Sequence, residues 1–206
     1  EPVLSINPNL QFDCFCEALG AFNIEGNVFS ANGTNLKINK SSGKTFDSGA
    51  NYVNSLVHTS IITTDYEPET ILNYNFTESG ALWSFAELSE VDPNHYDTLN
   101  GLLDVPDGKW TIQTIYQYAP LDYNEMKYGQ VYYDSKEEAL AQLSQDFEVA
   151  PLLEFDTFRG WLIVIKGADD LSDTEQANFI TAGKFGMTGG GGGGGGHGGI
   201  TTASNV

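Results

Sequence analysis

The chain has 206 residues, 40% of them hydrophobic, and sets 28 Asp and Glu against 9 Lys and Arg for a formal net charge of −19. That is enough apolar material to bury a core in one large domain or two small ones. So acidic a surface repels a phosphate backbone, which excludes nucleic acid as an expected partner, and no apolar run approaches the roughly 20 residues that insert across a bilayer.

Residues 1–11 contain Pro2 and Pro8 with little periodicity, the pattern of an extended N-terminal arm able to reach a neighbour. Cys14 and Cys16 follow, two positions apart. On a strand they share a face at about the limit of disulfide reach, so no disulfide framework is expected. No second Cys or His pair lies at finger-like spacing, since His58, His95 and His197 are scattered, and the two cysteines read as small core residues.

Short apolar-polar alternations then recur between turn signals. Phe22 and Ile24 alternate with Asn23 and Glu25 between Gly20 and Gly26; Leu36-Lys37-Ile38 is a brief strand; Tyr52–Thr64 is rich in β-branched residues. Leu72, Tyr74 and Phe76 share one strand face, and Leu82-Trp83-Ser84-Phe85 follows the Glu78-Ser79-Gly80 turn. Pro106-Asp107-Gly108 predicts a turn into the best-specified strand, Trp110–Tyr118, with Trp110, Ile112, Thr114, Tyr116 and Tyr118 opposite Thr111, Gln113, Ile115 and Gln117. Such a period of two predicts a half-buried strand, and the spacing over residues 12–118 predicts an antiparallel β-sandwich.

After Tyr118 the pattern changes to a smaller α+β part over residues 119–187. Ser135-Lys136-Glu137-Glu138 is a capping box opening a helix with Leu140, Leu143 and Phe147 in one stripe; Trp161–Ile165 is a buried strand stopped by Lys166-Gly167. A second capping box, Ser172–Glu175, predicts a helix through Ala177, Phe179 and Ile180, completing a helix-strand-helix module. Residues 188–206 form a Gly-rich tail with eight consecutive glycines from Gly189 to Gly196. It is either mobile or ordered only as packed polyglycine in an assembly that aligns several copies.

Chemistry is sparse. Asp169, Asp170 and Asp173 offer hard oxygen ligands, but they lack EF-hand spacing and suit a helix N-terminus better. The Asp92–Asp97 segment reads as a turn first. No nucleophile elbow or phosphate loop occurs, and no pair of carboxylates is singled out for hydrolysis, so we expect no enzyme, no metal and no cofactor. Asn32, Asn39 and Asn75 begin glycosylation sequons that read as chance matches in an Asn-rich chain.

Three stretches together resemble virion structural proteins of large tailed bacteriophages. They are Phe12-Asp-Cys-Phe-Cys16, the hairpin ending in Val105-Pro-Asp-Gly-Lys-Trp-Thr-Ile-Gln-Thr114, and Arg159–Lys166 with Leu171–Gly186 and the glycine tract. The first two are similar to Ig-like sandwich domains of such appendages, and the third to head or tail fibre and adaptor subunits. The resemblance implies a non-enzymatic subunit, assembled in the host cytoplasm into a virion as a homo-oligomer, a trimer or ring, touching other virion proteins. Aromatic side chains dominate interface hot spots, and Trp161, Phe179, Phe185, Tyr132 and Tyr133 are the candidate anchors. A rival reading is a secreted or surface module that binds glycan, such as a host surface glycan, with Trp83, Trp110 and Tyr116 as stacking platforms.

Overall fold

A computed structural model describes residues 20–47, 60–65, 67, 70–77, 82–98, 100–143, 153 and 156–183. The expected arm, the Cys14/Cys16 pair, Phe147, Phe185 and the Gly-rich tail lie outside these residues. The described chain is mainly β. Strands β1 (Phe22–Gly26), β2 (Phe29–Ala31), β3 (Ile38–Lys40), β4 (Gly43–Phe46) and β5 (Ser60–Thr63) come first, β2 and β3 as a two-stranded ribbon and β1-β4-β5 as a small antiparallel sheet. Then come β6 (Ile71–Thr77), β7 (Leu82–Leu88), the ribbon β8 (His95–Asp97) with β9 (Leu102–Asp104), β10 (Trp110–Tyr118), β11 (Tyr123–Lys127) and β12 (Tyr132–Tyr133). A 3-10 turn (Ala119–Leu121) joins β10 to β11, and helix α1 (Lys136–Ala141), β13 (Thr157–Ile165) and β14 (Ala177–Thr181) complete the described elements.

A large sheet in the order β14-β13-β10-β11-β6-β7 dominates, with β12 also paired to β10. It takes β6, β7 and β10 from before residue 118 and its other strands from after it. The Pro106–Gly108 turn forms as predicted: Lys109 N donates to the Pro106 carbonyl at 3.1 Å, and Gly108 sits at φ +73°. The expectation of a half-buried β10 is corrected, because eight of its nine residues are buried or nearly so on both faces. Its central place explains this: Trp110 and Ile112 pack with Tyr133, Ala139 and Ile163 under the helix, whereas Ile115 packs with Phe29, Ile38, Ile71, Met126 and Leu162 on the opposite side.

The sheet is mixed, since β6 and β11 run parallel (Asn124 opposite Ile71, Lys127 opposite Tyr74). Parallel neighbours need a long crossover, which the chain between Thr77 and Tyr123 provides. Between β11 and β12, Gly129 lies against β10 so closely that a Cβ there would stand 2.5 Å from the Ile112 carbonyl oxygen.

The helix-strand-helix module is not what forms. Among the described residues there is one α-helix, and the segment read as the second helix is strand β14, paired antiparallel to β13 from Val164 opposite Ala177 to Gly160 opposite Thr181. A turn does start at Ser172–Glu175, where Gln176 N and Ala177 N both donate to the Asp173 carbonyl at 2.9 Å. The ladder offered by β13, together with the aromatic and β-branched content of Ala177–Thr181, then outweighs the local capping signal. At α1 the cap holds: Ser135 Oγ accepts from Glu138 N at 3.1 Å, while Glu138 Oε2 reaches back one residue further than a simple box, to Asp134 N at 2.8 Å. Ser135→Ala should lower the urea midpoint by an amount equivalent to about 1 kcal/mol. An unchanged midpoint would mean that packing of Ala139 alone holds the helix.

Candidate functional site

Two buried polar clusters stand out on the sheet. The first is built on Asn27, which follows β1 in the left-handed region at φ +54°, a conformation that Asn tolerates better than most residues. Its side chain is fully buried and uses its whole hydrogen-bonding capacity. Nδ2 donates to Asn23 Oδ1 at 2.9 Å and Thr45 Oγ1 at 3.1 Å; Oδ1 accepts from Thr63 Oγ1 at 2.5 Å and Gln117 Nε2 at 3.3 Å.

The chain's one arginine completes this hub. Arg159 has no partner on β10, because the register jumps from Gly160 opposite Ile115 to Phe158 opposite Tyr116. That bulge turns its side chain onto the end of β1, where Nε donates to the Asn27 carbonyl at 3.2 Å and Nη2 to the Gly26 carbonyl at 3.3 Å. Burial pulls its pKa down to about 10. The adjoining Gly160, at φ +144°, lets β14 close against β13, since a Cβ would lie 2.0 Å from the Ile180 carbonyl oxygen. Gln117 also donates to Asp122 Oδ1 at 3.0 Å, and the buried Lys40 ammonium pairs with the same oxygen at 3.2 Å. The hub therefore staples the small sheet to the large one.

The second cluster is a carboxylate pair. Glu125 on β11 and Asp156, just before β13, are both buried, 6% and 4% exposed. Burial first, then a hydrogen bond and charge repulsion from Glu125, and repulsion from Asp47, push the Asp156 pKa up to about 9. Asp156 is thus a protonated acid at neutral pH. One oxygen of Glu125, Oε2, has no N–H or O–H donor among the described residues, and a shared proton supplies one; the other accepts from Tyr74 OH at 3.3 Å. Burial and the neighbouring Glu125 raise Tyr74 as well, and burial raises Asp47 and pushes Tyr116 up to about 12. Chemically the pair can store a proton against the sheet.

The predicted anchors separate. Tyr133 is buried under α1, and Trp161 and Phe179 are half-buried against the core. Tyr132 is exposed and meets Tyr96 edge to face at 5.4 Å between ring centres, while Phe185 lies outside the described residues. Of the expected stacking platforms, Trp110 and Tyr116 are core residues, 8% and 4% exposed, and half-buried Trp83 has the Lys127 ammonium 5.5 Å over its ring. Several exposed apolar side chains that sequence reasoning missed sit at sheet edges and a hairpin tip, among them Ile62 on β5, Phe85 on β7, and Leu121 and Tyr123 around the β10–β11 turn. Strand position is what exposes them, and a sequence does not state which strand ends a sheet.

Acidic loops serve as turns. Asp170 Oδ1 accepts from Ser172 Oγ and N at 2.6 and 2.8 Å, which holds its carboxyl below the usual range, and Asp173 Oδ1 accepts from Glu175 N at 2.9 Å. Asp92 Oδ1 accepts from Asn94 N at 2.9 Å, its Oδ2 lies 2.6 Å from His95 Nδ1, and Tyr128 OH donates to Oδ2 at 2.8 Å. Among the described residues no three His, Cys, Asp or Glu side chains are grouped to hold a metal ion. No family model, curated protein or solved structure matches the chain.

Proposed function

We propose that the chain is a non-enzymatic structural subunit that works by joining other subunits, in a virion appendage such as a fibre or adaptor. The observation that supports this best is the exposure of Ile62 and Phe85, 67% and 56%, each on a strand that ends a sheet among the described residues. Apolar side chains on open edges favour strand addition, and single-chain proteins commonly blunt such edges with charge or proline. The hub at Asn27 adds to the reading, because it ties the small sheet to the large one. The Ig-like character of residues 12–118 and the virion setting rest on the three quoted stretches.

Light scattering on the full chain, and on a chain ending at Gly186, tests this. A defined oligomer of the full chain is expected, and its loss on truncation would make the glycine tract part of the assembly. A monomer in both, across the accessible concentration range, would overturn the structural-subunit reading.

A further inference from the structure

We propose that Asn100 is a site of spontaneous covalent modification, where the side-chain amide is lost to attack by the Gly101 nitrogen and the β8–β9 turn converts to isoaspartate. The chain has two Asn-Gly dipeptides, Asn32-Gly33 and Asn100-Gly101. Asn before Gly is the reactive pairing, because the nitrogen that must reach the Asn side-chain carbon is least crowded when its own residue has no Cβ. The fold leaves one of the two open and ties the other down.

Asn100 is exposed at the tip of the β8–β9 ribbon, whose last pair is Asp97 opposite Leu102. The turn is held through Thr98: its N and Oγ1 donate to the Gly101 carbonyl at 3.2 and 2.8 Å, and Asn100 N donates to Thr98 Oγ1 at 3.3 Å. Neither the Asn100 side-chain amide nor the Gly101 N–H, the two groups that must react, is engaged in a hydrogen bond among the described residues. Gly101 sits at φ +114°, so the turn itself favours the residue that leaves this nitrogen accessible. Asn32 is set the opposite way. It is half-buried, its Nδ2 donates to Asn39 Oδ1 at 2.5 Å across the β2–β3 ribbon, its N donates to the Lys37 carbonyl at 2.9 Å, and its carbonyl accepts from Asn35 Nδ2 at 2.5 Å. Its side chain would have to leave Asn39 before it could swing onto Gly33.

The reaction needs only water and hydroxide. The Gly101 nitrogen gives its proton to hydroxide and bonds to Asn100 Cγ; the Cγ–Nδ2 bond breaks, and Nδ2 takes a proton from water, restores the hydroxide and leaves as ammonia. Water then opens the cyclic imide. Cleavage of the new N–Cγ bond gives ordinary aspartate, and cleavage of the bond from nitrogen to the original main-chain carbonyl gives isoaspartate, whose main chain now runs through Cβ and Cγ. Either product adds a carboxylate. Isoaspartate also inserts a methylene between Thr98 and Gly101, inside the stretch that both Thr98-to-Gly101 hydrogen bonds span, and so opens them.

Ageing the folded full chain at mildly alkaline pH, followed by peptide mapping with fragmentation that separates isoaspartate from aspartate, tests the site. Both products should accumulate at position 100 at a rate proportional to hydroxide while Asn32 keeps its amide, and the same chain unfolded in urea should convert both sites. An Asn100 that stays intact in the folded chain, or an Asn32 that converts as fast, overturns the proposal. Asn100→Asp carries the new charge without the methylene, so hydrogen exchange at Thr98 N–H should quicken in the isoaspartate chain and keep the parent rate in the variant. An unchanged rate in the isoaspartate chain would overturn the opening of the turn.

Discussion

Asn27→Ala should cost about 3–5 kcal/mol of stability, enough to bring a domain of ordinary stability close to unfolding at room temperature. Truncation leaves Thr63 Oγ1, Thr45 Oγ1, Asn23 Oδ1 and one Gln117 contact without their shared partner, and all four residues are buried. Each buried polar group left unsatisfied costs about 1–3 kcal/mol. Alanine must also hold φ +54°, which adds about 1 kcal/mol. Asn27→Gly separates the two causes, since glycine meets the backbone demand without strain and loses only the side-chain bonds. Chemical unfolding monitored by tryptophan fluorescence reads both. If the two variants are equally unstable, the hydrogen bonds carry the effect; if neither shifts the midpoint by more than about 0.5 kcal/mol, the hub is not what staples the sheets.

Much of the fold is legible along the chain because it is locally encoded. The Pro106-Asp107-Gly108 turn, the alternation of β10, the apolar run of β13 and the Ser135 cap depend on neighbours within a few residues. What could not be read depends on which strands become neighbours. Ala177–Thr181 is helical by its preceding cap and extended by its ladder to β13, and only the fold decides between them. The carboxylate pair is hidden for the same reason, because Glu125 and Asp156 are two acids among 28 until β11 and the approach to β13 are laid together. Asn27 and Arg159 had partial signals: an Asn directly after Gly26 at a strand end suits the left-handed region, and a lone arginine between Phe158 and Gly160 interrupts an otherwise uncharged strand. Neither signal names the other residue. Phe85 carries no signal of its own, since alternation gives its strand face but not that β7 lies at an edge.

The second large effect concerns pH. Asp156 holds its proton in the folded chain up to about pH 9, whereas an unfolded chain gives it up near the ordinary carboxylate value of about 4. Below about pH 4 both states are protonated and the pair costs nothing relative to the unfolded chain. Between those limits only the folded state binds the proton, so stability falls as pH rises, by at most about 1.4 kcal/mol per unit. Above about pH 9 Asp156 ionises in the fold as well, against the repulsion of Glu125 and Asp47. Asp156→Asn mimics the protonated acid, keeps a donor for Glu125 and removes the linkage. The variant should therefore lose most of the downward slope between about pH 5 and 8 and exceed the parent by about 2 kcal/mol or more at pH 8, measured from urea midpoints. Asp170 titrates with the opposite sign, but its pKa is held below the ordinary value, so it acts only at the acid end and leaves this window to the pair. Parallel curves for parent and variant would mean that Asp156 is ionised in the fold. The Glu125 oxygen would then need its donor from a segment outside the described residues, and the proton would no longer hold the two strands' carboxylates together.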